Sequence, residues 1–424
     1  MAQLTDDCFA FGGALVGVAT ALDDLLGRLA PVTQAEELPL RRALGRFLAA
    51  DVTSDRAVPP HDNSAVDGYC VYFDDLDPRG EVRLPVAGRA AAGHPLPAPQ
   101  PRGTAVRIFT GAPMPRGADG GPGPDTVLMQ EDCRIDADRV VIPRGIKRGA
   151  NRRKAGEDVV AGARILAAGR RLRAQDLGLA ASIGRTSLSV RQPLRAAVFS
   201  TGDEIREPGI PLPEGCVYDA NRTTLVALLE GMGCRVTDLG ILADEPSAVR
   251  QALAAAASGH DLIMTSGGVS GGEEDHVRGA VESLGTLHFW RLAIKPGRPV
   301  ALGQVDRVPF FGLPGNPVAA MVTFLSLARP LVLRLAGSTE PAPRTFPVRA
   351  DFAYAKKAGR REFVRVRLEA DEGGGWKARK FARDGAGILS SMVEADGIVS
   401  LPEDLVDLVP GAAVDFLPFA EAGL

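Results

Sequence analysis

From residue 194 the chain alternates short apolar runs with helical stretches, and this alternation narrows the possible folds more than any other feature of the sequence. Residues 194–199, 235–239 and 261–265 read as strands, while residues 221–232, stopped by Gly233, and a stretch opened by Pro246 and stopped by Gly259 read as helices. Strands interleaved with helices predict a parallel, doubly wound sheet. A ligand on such a sheet sits outside the carboxyl ends of the strands, so chemistry is expected in the loops that follow them.

Three of those loops are rich in glycine, hydroxyl and acid: Ser200-Thr201-Gly202-Asp203-Glu204, then Ser266-Gly267-Gly268-Val269-Ser270 running on to Asp275, and Gly312-Leu313-Pro314-Gly315-Asn316-Pro317. Glycine lets backbone N–H groups approach a phosphate, and a helix starting near Pro317 adds the positive end of its dipole. Singly, each loop could be a plain strand-to-helix turn; three converging on one sheet edge favour an anionic ligand. Glu204, Asp244 and Asp275 each follow a strand end. Three carboxylates beside a phosphate cradle are reconciled by a divalent cation, magnesium being the natural candidate, and the alternative is that each caps a helix N-terminus. In the stretch Phe289-Trp290-Arg291-Leu292-Ala293-Ile294-Lys295-Pro296-Gly297-Arg298-Pro299 a strand would aim Arg291 and Lys295 to one face, suiting an oxyanion or, alternatively, forming a solvated charged surface.

At 424 residues, with 45% hydrophobic, the chain is too long for one core and is expected to divide. Residues 1–58 and 146–190 read as a helical and extended arm, with helices over 15–29, 38–48 and 174–183. Residues 59–145 read as an inserted β-domain of short runs such as Val71-Tyr72-Phe73, Ala105 through Phe109 and Thr126 through Met129. Gly120-Gly121-Pro122-Gly123-Pro124 inside it is expected to be an exposed loop. The α/β unit spans 191–338, with a long helix after Pro317, and 339–424 reads as a small C-terminal β-domain. The fold class is therefore multidomain α/β plus β.

A formal net charge of -3 gives no basic excess for nucleic acid, and no apolar run is expected to reach the length of a membrane span. Five scattered cysteines, Cys8, Cys70, Cys133, Cys216 and Cys234, argue against a disulfide framework, and Asp6 and Asp7 are unlike a secretory leader. A cytoplasmic protein with small-molecule or protein partners is expected.

Added to these loops, the stretch Pro59-Pro60-His61-Asp62-Asn63-Ser64-Ala65-Val66-Asp67-Gly68-Tyr69, Thr110-Gly111-Ala112-Pro113-Met114-Pro115, Gly156-Glu157-Asp158 and Lys295-Pro296-Gly297-Arg298-Pro299 resemble the molybdopterin molybdenumtransferase (MoeA-like) family, in order and over nearly the whole chain. The resemblance, shared with the gephyrin E domain, implies an L-shaped four-part subunit and a homodimer whose active site lies between the α/β domain of one subunit and the inserted β-domain of the other. It also implies insertion of molybdate into adenylylated molybdopterin with magnesium-dependent release of AMP, alongside other molybdenum cofactor biosynthesis proteins.

Carried over by position, Asp62, Glu204, Asp244 and Asp275 would be catalytic, the last three holding magnesium, and Asp62, Thr110 and Asp158 would face the partner. Substrate binding would fall to Ser200, Thr201, Gly202, Ser266, Gly267, Gly268, Ser270, Arg291, Lys295, Arg298, Pro314, Asn316 and Pro317, with Ser390 and Ser391 aligning in the tail. The sequence departs from the family where Arg291 and Arg298 replace a common Lys, where Gly271 replaces a Val, and where the 120–124 insertion interrupts a Gly-Ala-Asp stretch. Arginine keeps the charge but presents a wider fork. Two other readings stand beside this one: the adenylyltransferase of the same pathway, which needs only the α/β unit, and a non-enzymatic scaffold.

Overall fold

Alternate residues of the strand Arg195–Thr201 enter different cores: Ala196 and Val198 face one, Ala197 and Phe199 the other. A strand covered by apolar side chains on both faces reads as a continuous hydrophobic run, and this is the doubly wound arrangement. The computed structural model describes residues 15–268, 276–297, 299–371 and 373–422. Its largest sheet has seven strands. Arg235–Leu242, Arg195–Thr201, Leu262–Ser266 and Val308–Leu313 lie side by side and parallel. The helices Ala220–Gly231 and Pro317–Thr323 contribute to one core, and Pro246–Gly259 and His276–Leu284 to the other.

The sheet is not parallel throughout. Pro299–Val305 and Gly285–Leu292 add as antiparallel strands, the first joined to Val308–Leu313 by a tight turn in which Asp306 has a φ of 55°. Leu15–Val16 then pairs parallel at the outer edge. The helix Val18–Arg28 packs Val18, Ala21 and Leu25, with Leu29 just past its end, into the α/β core beside Leu331 and Leu335, so its apolar face is buried there rather than in the arm.

The helical run Pro317–Ala336 corrects the expectation about apolar length: its 20 residues have the length and hydropathy of a membrane span. Most of it is buried within the protein, as a helix of the larger core.

The expected helix over 38–48 is also corrected. Ala35–Pro39 is a strand paired antiparallel with Ser187–Arg191, followed by a single 3-10 turn at Leu40–Arg42, because long-range pairing outweighs a short helical periodicity. This pair, a second one between Val52–Thr53 and Arg164–Leu166, and the helix Ala174–Ser182 share a core of their own. The inserted unit is a six-stranded sheet, with Gly68–Val71 next to its edge strand Thr126–Met129 and separate apolar clusters on its two faces. Its first strand ends at Val71, and Phe73–Asp75 form a 3-10 turn instead of continuing it.

The C-terminal sheet runs Arg361–Ala370, Trp376–Lys380, Phe346–Ala350, Ala413–Pro418, Gly397–Leu401, and the last pairs back with the first to close a small barrel. One further strand of this sheet comes from far upstream in the chain: Ile294–Lys295 pairs in parallel with Arg361 and Glu362. The α/β unit and the barrel are thereby joined by backbone hydrogen bonds, including Arg361 N–H to the Ala293 carbonyl at 2.7 Å.

Candidate functional site

The ends of the parallel strands face the barrel across a cleft of about 770 Å³. That is ample for a drug-sized or nucleotide-sized ligand. Glu204, Gly267, Gly268, Pro314 and Asn316 line one wall, all from strand-end loops, and Lys295 with Pro296 and Gly297 forms the floor of the junction. The other wall is Tyr354, Arg365, Lys380, Phe381 and Asp384 of the barrel.

The loops are held by a small polar knot. The Ser266 hydroxyl donates to the Pro314 carbonyl at 2.8 Å, and the Asn221 amide donates to Ser266 at 2.9 Å and to the Gly315 carbonyl at 2.7 Å. Ser266 therefore joins neighbouring loops from a buried position. Gly268 has a φ of +64°, and a Cβ there would lie 2.7 Å from the Thr201 hydroxyl and 2.9 Å from Val277, so close approach and the left-handed conformation both demand glycine. Ser200 and Thr201 are buried behind this wall, and Gly202 packs against the carboxylate of Glu204. Pro317 opens the helix, whose Val318 amide donates to the Ala386 carbonyl of the barrel segment at 2.9 Å. That amide is spent on closing the end of the cleft.

Lys295 and Arg291 do not share a face. The strand Gly285–Leu292 ends before Ala293, and the chain then leaves the α/β sheet to pair Lys295 with Glu362. Arg291 stays exposed, outside the cleft. The Lys295 ammonium lies 3.1 Å from the Glu362 carboxylate and 3.4 Å from the Tyr354 hydroxyl.

Arg365 is the cation that sequence reasoning missed. It is only 7% exposed yet borders the cleft, and it makes no ion pair among the described residues. Its Nε donates to the Ser391 hydroxyl at 3.0 Å, and one Nη donates to the carbonyls of Arg383 and Gly385, each at 3.3 Å. Burial draws the guanidinium below its usual range, partly countered by nearby Asp384, but an arginine remains charged. Its charge is met by a hydroxyl, two carbonyls and the nearby Asp384 rather than by a direct ion pair among the described residues. Ser391 is fully buried and touches Arg365 rather than lining the cleft. The strand Arg361–Ala370 carries five charged residues, Arg361, Glu362, Arg365, Arg367 and Glu369, so nothing in its sequence singles out Arg365.

Asp62, Thr110 and Asp158 lie away from this cleft. Asp62 binds Arg152 through one oxygen and the Ala155 amide at 2.7 Å through the other, which together outweigh burial and hold its carboxyl below the usual range. Thr110 donates both its amide, at 2.8 Å, and its hydroxyl, at 2.7 Å, to Asp67. Asp158 is exposed. The loop Gly120 to Pro124 contributes Pro122, Gly123 and Pro124 to a separate pocket of about 570 Å³ that includes Asp62. Ser270, Asp275 and Arg298 lie outside the described residues, and Ser390 is exposed at the start of the short helix Ser390–Glu394.

A magnesium site is not assembled by the donors on view. Among the described residues no three His, Cys, Asp or Glu side chains gather into a cluster. Glu204 is on the cleft wall, whereas Asp244 is half-buried beyond the end of Arg235–Leu242 and does not line the cleft.

Known proteins match the chain in three consecutive segments. Residues 16–184 match the MoeA N-terminal region (domain I and II), residues 197–334 a probable molybdopterin binding domain, and residues 347–419 the MoeA C-terminal region (domain IV). The chain is 38% identical over 401 residues to a molybdopterin molybdenumtransferase of Haemophilus influenzae, covering 94% of this chain and 97% of that one. It is 33% identical over 383 residues to molybdopterin molybdenumtransferase 2 of Mycobacterium tuberculosis, covering 88% and 92%. A crystal structure of a molybdopterin biosynthesis MoeA protein from Pyrococcus horikoshii superposes with a TM-score of 0.80 at 26% identity, over 96% of this chain and 100% of that one. With three consecutive matches and near full-length relatives, the chain belongs to the molybdopterin molybdenumtransferase family.

Proposed function

We propose that this protein joins molybdate to adenylylated molybdopterin in the cleft between the α/β unit and the C-terminal barrel, releasing AMP and yielding molybdenum cofactor. The observation that carries the reading is the buried guanidinium of Arg365, which makes no ion pair among the described residues, facing the Lys295 junction and the glycine loops across one cleft. Molybdate is a tetrahedral dianion, and charge-assisted donors in a partly desolvated cleft are what such an ion requires. The glycine loops and Asn316 take the pterin phosphate side, and the soft dithiolene sulfurs displace oxygens on molybdenum. Because the barrel supplies half of the cleft wall, the single-domain adenylyltransferase reading explains less of the molecule. A scaffold has no need of a desolvated arginine.

A magnesium requirement belongs to the same reading; of its three proposed ligands Glu204 is the one that lines the cleft among the described residues, so no step is routed through a metal. Homodimerisation is supported by the distance of Asp62, Thr110 and Asp158 from the cleft: if they serve the reaction, a second subunit must bring them. The division into an arm of 1–58 and 146–190, an inserted domain of 59–145, an α/β domain of 191–338 and a barrel of 339–424 is supported by apolar clusters of their own in the arm, the insert and the barrel, although residues 16–29 and one side of the barrel pack into the α/β core. A cytoplasmic location is supported by the absence of disulfides among Cys70, Cys133, Cys216 and Cys234. Other cofactor-biosynthesis proteins would be partners that deliver the pterin and receive the product.

The test is to incubate the purified protein with adenylylated pterin and molybdate and to follow AMP, with and without a chelator. Molybdate-dependent AMP release supports the reading, and none under any condition overturns it. Release unaffected by chelation removes magnesium from it.

A further inference from the structure

Glu362 carries a carboxylate at 1% exposure, under the floor of the cleft, and three side chains converge on it. The Tyr354 hydroxyl donates to Oε2 at 2.7 Å, the Lys295 ammonium to the same oxygen at 3.1 Å, and the Arg360 Nε to Oε1 at 2.7 Å. Lys295 also reaches the Tyr354 oxygen at 3.4 Å, so ammonium, phenol and carboxylate form a closed triangle. The backbone enforces it, because Lys295 and Glu362 are register partners in adjacent parallel strands.

An ammonium has three donors. Two are taken up by Oε2 and the phenol, while the Lys295 side chain keeps 52% exposure and borders the cleft. A lysine stem has four rotatable bonds and would otherwise sample many positions. The Tyr354 ring narrows the choice further, with the Lys295 and Lys380 ammonium groups each 5.8 Å from its centroid. Glu362 is too deeply buried to meet a substrate, so its influence must pass through the groups it holds.

We infer that Glu362, with Tyr354, is a positioning residue that sets the Lys295 ammonium in place to receive the substrate oxyanion. The inference rests on the reading of the cleft as the molybdate site. Arg360 offsets the carboxylate charge, so Lys295 keeps its positive charge available for an anion.

The experiment compares Glu362→Gln, Tyr354→Phe, Lys295→Ala and the Glu362→Gln/Lys295→Ala double variant, measuring the molybdate Kd by calorimetry, the kcat and molybdate KM of AMP release, and Tm. Glu362→Gln should raise Kd and KM about tenfold, the effect of displacing one charge-assisted hydrogen bond, with kcat nearly unchanged. Tyr354→Phe should move the same quantities in the same direction by less, at a Tm close to wild type, and it carries the test if Glu362→Gln fails to fold. The double variant should be no worse than Lys295→Ala, because a residue acting only through another adds nothing once that one is gone. Multiplicative losses in the double variant, or unchanged Kd and KM in both single variants at positions 354 and 362, overturn the positioning role. If Lys295→Ala itself leaves molybdate binding and AMP release intact, the cleft reading falls as well, so the two failures are distinguishable.

Discussion

Inside the C-terminal barrel the Nε of Arg365 donates to the hydroxyl of Ser391 at 3.0 Å, and that hydroxyl in turn donates to the Ile388 carbonyl at 2.6 Å. The serine thus fixes the plane of the guanidinium from behind. Replacing Arg365 by Lys keeps the charge but loses the fork, and molybdate KM should rise roughly tenfold or more. Ser391→Ala should give a smaller rise in the same assay. Equal KM values for wild type and Arg365→Lys would mean the arginine serves the fold alone.

Arg222, at 7% exposure, is the hub of a second network. It pairs with Asp219 at 2.8 Å, with Asp238 at 2.5 Å and with Glu207 at 2.5 Å, tying the helix Ala220–Gly231 to the edge strand and to the loop beyond Glu204. Arg222→Met leaves Asp219 charged and buried at 3% exposure, which should cost about 3 to 5 kcal/mol in urea denaturation. A shift below about 1 kcal/mol, the range of an exposed ion pair, would show that the network is solvated.

Acid should weaken the fold through particular carboxyls. Burial alone would raise those of Glu362 and Asp176, but hydrogen bonds from Tyr354, Lys295 and Arg360 to the first, and from Arg173 and Arg170 to the second, outweigh it and hold both below the ordinary range. A folded pKa below the unfolded one contributes stability that is whole above the unfolded values, about 4.3 for Glu and 3.9 for Asp, and is lost as pH falls through the lower folded values. Melting temperature followed from pH 7 to about pH 3 should therefore drop chiefly at the acid end, and less steeply for Asp176→Asn than for wild type. Parallel curves for the two proteins would remove Asp176 from the account.

Subunit sharing can be tested by complementation. Asp62→Asn and Glu204→Gln variants, each inactive alone, should recover about a quarter of wild-type AMP release after mixed refolding, because half of randomly paired dimers contain one intact site of two. No recovery, with mixed dimers demonstrated by mass, would place all the chemistry within one subunit.

Local chemistry in the sequence determined the α/β alternation, the glycine-lined strand ends and the motifs that carry the family resemblance, because helix stops, strand periodicity and the need for glycine at a close approach act over a few residues. Gly268, Pro314 and Glu204 come together for that reason: their strands are neighbours and parallel, so strand-end loops share an edge. What lies across the cleft was decided only by tertiary structure. Lys295 leaves the sheet of Arg291 to pair with Glu362, 67 positions away, and Arg365 comes to border the cleft while losing nearly all its solvent and making no ion pair among the described residues. Pairing between distant strands and the burial of a charge have no signature in the residues alongside them, which is also why Ala35–Pro39 folded as a strand where local periodicity suggested a helix nearby.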